Sequence, residues 1–291
     1  MTTLTPLVHE RDGHRLVAYD HGAHLAEWRV DGHPVVWLSP HAVLDGRAAI
    51  RGGVPICFPW FAAGPEGDRS PSHGLVRTAT WRQDETGGDE VWAWTLTSEE
   101  LDGLPGSEHL EGPFDLRYAV SLVRGGAAGT VLRLELTVTN PAPAPLHVEA
   151  ALHTYLAVAD VRTVRVLGLD GAPYLDKVTG SRHVQDGDVT LSAETDRVYD
   201  TDAVAGLVVV DDGRTLTLEP EGATQVVVWN PSEAKAALMG DLPDDAWHRF
   251  VCVEAAATGS RGLVVQPLSS SALACTVGVS TGPDGERLSA P

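Results

Sequence analysis

Three short stretches hold residues able to move protons or bind anions: PLHVEAALHTYLAV (145–158), HRFVCVEAA (248–256) and IRGGVPICFPWF (50–61). In the first, even positions Leu146, Val148, Ala150, Leu152, Leu156 and Val158 are apolar, interrupted only by Thr154, while odd positions carry His147, Glu149, His153 and Tyr155. That period of two describes a strand with a row of hydrogen-bonding and titratable side chains on one face. A solvent-facing strand surface is the plain alternative, although Lys and Thr are commoner there than two histidines and a tyrosine. In the second stretch Glu254 shares a face with Phe250 and Cys252. A carboxylate on an apolar face must be paired, neutral or lining a cavity, because an unpaired buried charge is costly; a structural ion pair is the alternative to a catalytic role. A histidine and a glutamate converging from different strands would suit general acid and base work without a metal.

The third stretch sets Arg51, Gly52 and Gly53 ahead of an apolar, aromatic run. A buried strand over VPICF needs neither the charge nor the glycines. The guanidinium fork matches phosphate geometry, and the glycines would let backbone N–H groups approach an anion. Trp60 and Phe61 would form an apolar wall or pack in the core.

Other chemistries lack an anchor. The 12 histidines are scattered, ligand spacings such as HxH are missing from the site segments, and no metal is expected. There is no GxSxG elbow, no GxxxxGK[ST] loop and no GxGxxG leading into a helix, so nucleophilic hydrolase, NTPase and dinucleotide readings fail. Cys57, Cys252 and Cys275 sit in apolar runs without CxxC spacing and read as reduced core residues. A formal charge of −19 opposes nucleic acid and anionic membranes as partners, and a small phosphorylated ligand would need a local arginine cluster. The first residues lack a basic start and an apolar h-region, and no apolar stretch approaches a membrane span, so a cytoplasmic location is expected.

The elements that must position these residues are strands. VLRLELTVTN (131–140) alternates Leu132, Leu134, Leu136 and Val138 with Arg133, Glu135, Thr137 and Thr139, the mark of a half-buried strand. WRVDGHPVVWLS and GLVVVDDGRTLTLEP read as hairpins around DG and DDGR turns. Only TSEELDGL and SEAKAAL have helical pattern. With no linker or repeat in 291 residues, an all-β fold in one domain spanning 1–291 is expected, with two antiparallel sheets packed face to face.

The motifs together resemble a known family. IRGGVPICFPWF, SHGLVRTATW (72–81), ALHTYLAVADV (151–161), VWNP (228–231) and GDLPDDAWHRFVCVEAA (240–256) occur in an order and spacing similar to the glucose-6-phosphate 1-epimerases, or D-hexose-6-phosphate mutarotases, of the aldose 1-epimerase superfamily. The resemblance runs from about residue 20 to 280. It implies a large galactose-mutarotase-like β-sandwich with few short helices, a monomer or weak dimer, that interconverts the α and β anomers of a hexose 6-phosphate without a cofactor. By motif position it places the catalytic pair on His153 and Glu254, the phosphate-side arginines on Arg51 and Arg77, and a sugar-contacting aspartate on Asp196. His73 would support the site or contact the sugar, and Ser72 stands where relatives often have glutamine. In the mechanism so implied, Glu254 takes the anomeric hydroxyl proton while His153, held protonated by the adjacent carboxylate, donates to the ring oxygen. An aldose 1-epimerase for unphosphorylated hexoses and a non-catalytic sugar-phosphate-binding protein are the alternatives.

Overall fold

The computed structural model describes residues 3–85, 91–125, 129–201 and 206–281. Strands dominate, and every strand pair among the described residues is antiparallel. They form a 12-stranded sheet, a 9-stranded sheet and a short ladder of Leu146–Val148 with Leu263–Val265. Both expected hairpins are present, His24–Val30 with His33–Val36 and Leu207–Asp211 with Arg214–Glu221. SEAKAAL begins a short α-helix, Ser232–Ala236, and TSEELDGL supplies a 3₁₀ turn at Ser98–Leu101.

The period-two pattern dictates how the sheets pack. In Thr130–Asn140, inside the smaller sheet, Leu132, Leu134, Leu136 and Val138 are fully buried, whereas Arg133, Glu135, Thr137 and Thr139 are only partly buried. They meet Val226, Val228, Val251, Val253 and Ala255 from the larger sheet in one apolar cluster, each large side chain stabilising the sandwich by about 1.5–3 kcal/mol. The larger sheet is covered on its other face too. There Cys57, Tyr155, Val227, Trp229, Phe250 and Cys252 pack beneath Phe61, Ala236 and Leu242, residues of the segments that roof this face. All three cysteines are buried and free.

This two-sided burial explains why Phe250–Ala257 is buried along its whole length: Val251, Val253, Ala255 and Ala257 face the partner sheet, while Phe250, Cys252 and Ala256 face the roof. Glu254 therefore points into the roofed side, as its period-two position predicts.

The Gly-Gly pair serves the roof differently from expectation. Gly52 has φ +93, and a Cβ there would lie 2.6 Å from the Trp37 carbonyl oxygen and 2.7 Å from the Leu38 Cα. Gly53 donates its N–H to the Trp37 oxygen at 2.6 Å, so this group is engaged by backbone and not turned toward an anion. The glycines let the chain bearing Arg51 press against the segment after the hairpin. Gly52→Ala should cost about 2–4 kcal/mol of stability, read as a lower urea midpoint at unchanged m-value; an unchanged midpoint would contradict this packing.

Candidate active site

The ladder registers bring the chemistry to one face. Glu254 lies opposite Val227, Cys252 opposite both Trp229 and Tyr155, and Asp196 opposite Trp229. Residues two apart on a strand share a face, so Asp196, Trp229, Tyr155, Cys252 and Glu254 all look toward the roof. His153 arrives by an interruption: Thr154 donates its N–H to the Leu152 oxygen at 2.8 Å and His153 to Pro55 at 3.0 Å, which breaks the strand between Ala150–Leu152 and Tyr155–Ala157. The imidazole then stacks on Tyr155 (centroids 4.8 Å, 11°) and meets Trp229 edge-on.

All seven residues expected at the site, His153, Glu254, Arg51, Arg77, Asp196, His73 and Ser72, line a single cavity of about 310 Å³. His153 Nδ1 is 3.2 Å from Glu254 Oε1. Among the described residues neither that nitrogen nor either Glu254 oxygen has an aligned hydrogen-bond partner, and Glu254 is only 1% exposed. Buried polar atoms are rarely left this way. Arg51 donates from Nη1 to the Tyr155 hydroxyl at 3.0 Å and pairs with Asp241 at 3.1 Å. Arg77 donates from Nη2 to the Ser72 carbonyl at 2.6 Å. His73 is pinned by its own N–H to Ala62 O (2.6 Å) and accepts at Nδ1 from Ala62 N at 3.2 Å.

Electrostatics corrects one expectation. Burial, followed by His73, Arg77 and Arg51, pushes the His153 imidazole well below its usual range, so Glu254 does not hold it protonated. Burial and then Asp196 push the Glu254 carboxyl well up, with Lys177 working the other way. Both shifts favour the same form of the pair, a neutral imidazole facing a protonated carboxyl. It contains the same number of protons as an imidazolium–carboxylate pair, so moving one proton between the two side chains converts either form into the other. Burial likewise lowers His73 to about 3, with Arg77 next among the causes. Cys252 brings its sulfur within 4.8 Å of the His153 and Glu254 donor atoms, a grouping that sequence spacing does not reveal; burial keeps that thiol well above its usual range and protonated.

The row of odd-numbered polar residues is not continuous. His147 is exposed on the short ladder, opposite Val264. Glu149 is buried and braces the roof, accepting from Phe61 N at 2.8 Å and from Gly259 N. Trp60 is inter-sheet core and donates to the Pro71 carbonyl, whereas Phe61 does line the cavity. Lys177, Trp229, Lys235 and Met239 also line it and were not foreseen. A signal existed: Lys177 and Lys235 are the only two lysines in the sequence.

Comparison with known proteins shows the family and the fold. Residues 7–272 match the family described as aldose 1-epimerase. A protein from Salmonella typhimurium described as a "putative glucose-6-phosphate 1-epimerase" is 33% identical over 271 residues, covering 86% of each chain; one from Escherichia coli with the same description is 33% identical over 81% of this chain and 77% of its own. The crystal structure of a "putative mutarotase" from Salmonella typhimurium superposes with a TM-score of 0.82 at 30% identity, covering 96% of this chain and 92% of that one. A galactose 1-epimerase from Lactobacillus acidophilus, at 11% identity and a TM-score of 0.67 over 96% of this chain and 95% of its own, shares the fold. The large antiparallel sandwich thus has the galactose-mutarotase-like form expected.

With its proton affinity lowered by burial, the His153 ring should stay neutral from pH 8 down to well below 6.5. Nitrogen-detected NMR of the ligand-free protein checks this; a His153 midpoint at or above 6.5 would contradict it.

Proposed function

The chain belongs to the aldose 1-epimerase family, and from that membership we propose that its own reaction is the interconversion of the α and β anomers of a hexose 6-phosphate, glucose 6-phosphate foremost. Anomer exchange requires removal of the anomeric hydroxyl proton, protonation of the ring oxygen so that the C1–O5 bond opens, and rotation about C1–C2 before closure. One base and one acid suffice. The observation that carries the proposal is the His153–Glu254 pair, 3.2 Å apart and buried, without aligned hydrogen-bond partners among the described residues, at a cavity shared with two arginines.

In this mechanism the working form has Glu254 as carboxylate and His153 as imidazolium. Glu254 takes the hydroxyl proton, His153 gives one to the ring oxygen, and the roles reverse on closure, each contributing about 10²- to 10⁴-fold in rate. The substrate itself favours that form. Arg77 and Arg51 are among the charges that depress His153, so a phosphate dianion beside them offsets their effect and lets the pair's proton move onto the imidazole.

Arg77 is the stronger phosphate ligand of the two. Burial lowers its proton affinity, the mark of an under-solvated guanidinium with donors to offer, whereas Arg51 already has Tyr155 and Asp241. Asp196 and His73 contribute on the sugar side, Asp196 as an acceptor for hydroxyl groups. Relatives described as "putative glucose-6-phosphate 1-epimerase" support the choice of substrate.

Two variants test this reading. Glu254→Gln, isosteric and unable to serve as base, should lower kcat by at least about 10²-fold with the thermal midpoint retained; wild-type turnover would sink the assignment. Arg77→Ala should raise KM for glucose 6-phosphate about 10- to 100-fold, the worth of a charge-assisted hydrogen bond, with no such rise in KM for free glucose. Equal losses on both sugars would favour a free hexose as the substrate.

A further inference from the structure

Of the 21 lysine and arginine side chains in the sequence only Lys177 and Lys235 are lysines, and both line the cavity that holds His153 and Glu254. Neither has a part in the reaction scheme above. Their surroundings are carboxylates. Lys177 Nζ lies 4.0 Å from Asp196 Oδ1, and its backbone N–H donates to the Asp196 carbonyl at 2.7 Å, which ties it to the strand Thr195–Asp200. Its ammonium sits 4.8 Å above the Phe61 ring, a cation–π contact that fixes its place in the roof. Lys235, from the helix Ser232–Ala236, pairs with Glu194 at 2.6 Å, two residues before Asp196.

Asp196 and Glu254 project from one sheet face into this single cavity. Two carboxylates in a poorly solvated space resist ionising together, and one of them takes up a proton unless cations compensate. We propose that Lys177, seconded by Lys235, is a positioning residue that favours the ionised form of both Asp196 and Glu254, so that in the working form of the site one can bind the sugar while the other acts as base. The inference rests on the acid–base reading of the site.

The groups facing Glu254 support it. His153 stands at 3.2 Å, and Cys252, Cys57 and Tyr155 are all raised by burial and uncharged at neutral pH. Arg51 and Arg77 act on His153. Asp196 is the neighbour that disfavours the Glu254 carboxylate and Lys177 the one that favours it. For Asp196, raised by burial, Lys177 and then Lys235 are the leading opposing charges.

The pH dependence of kcat/KM for glucose 6-phosphate tests this in the full-length protein. Lys177→Met should move the acid limb upward by about one pH unit, a tenfold change in proton affinity, with a smaller shift for Lys235→Met and recovery in Lys177→Arg. An unmoved limb overturns the proposal, whether KM for the phosphosugar rises, which would make Lys177 a phosphate ligand, or only the thermal midpoint falls, which would make it packing. Carbon-13 NMR titration of the Asp196 and Glu254 carboxyls in substrate-free wild type and Lys177→Met reads the same shift without turnover. If wild-type protein fails to turn over sugar phosphates, the reading of the reaction fails, and the carboxyl titration still decides the role of Lys177: midpoints raised in the variant uphold it and unchanged midpoints reject it.

Discussion

A histidine and a glutamate buried 3.2 Å apart at the wall of one cavity impose the constraint on which the rest of the structure depends. Such a pair is unfavourable to bury, and the fold meets the demand by covering the larger sheet on both faces. The partner sheet covers one. The other is roofed by the segments carrying Phe61, Arg51 and the helix Ser232–Ala236, and the apolar cluster of Tyr155, Trp229, Phe250 and Cys252 beneath the roof sets the ring packing around His153. Desolvation then disfavours charge on both partners, and moving a single proton between them produces the charged form.

Charge is organised against the protein's overall balance. With a formal charge of −19, the surface repels anions, yet the cavity gathers Arg51, Arg77, Lys177 and Lys235. The four cations divide between two kinds of neighbour. The arginines lie on the side of His153 and Tyr155, the lysines against Asp196 and Glu194. Burial strengthens each of these interactions relative to water, so a few side chains can reverse the long-range field locally.

Much of this was legible in the sequence because a strand alternates its faces. Glu254 sharing a side with Phe250 and Cys252, the buried face of Thr130–Asn140 and both hairpins follow from that period and from turn chemistry. What the period could not show was where a strand stops. The run from 145 to 158 is three short strands, and the bend at Thr154 that aims His153 depends on contacts with Pro55, far away in sequence. The Gly52–Gly53 pair suggested an anion cradle, since its need for close backbone approach to Trp37 and Leu38 is a tertiary fact. The protonation of His153 was misread for the same reason: a neighbouring carboxylate is visible in a motif, whereas the depth of burial that outweighs it is not. Lysine rarity was present in the composition, but only the placement of both residues in one cavity gives it meaning.

The most direct test of the proposed reaction is NMR exchange spectroscopy between the α and β anomers of glucose 6-phosphate, run beside free glucose under the same conditions. Catalytic amounts of the wild-type protein should accelerate exchange of the phosphosugar far more than that of glucose. Equal acceleration of both sugars, or no acceleration of the phosphosugar, would contradict a hexose 6-phosphate as the substrate.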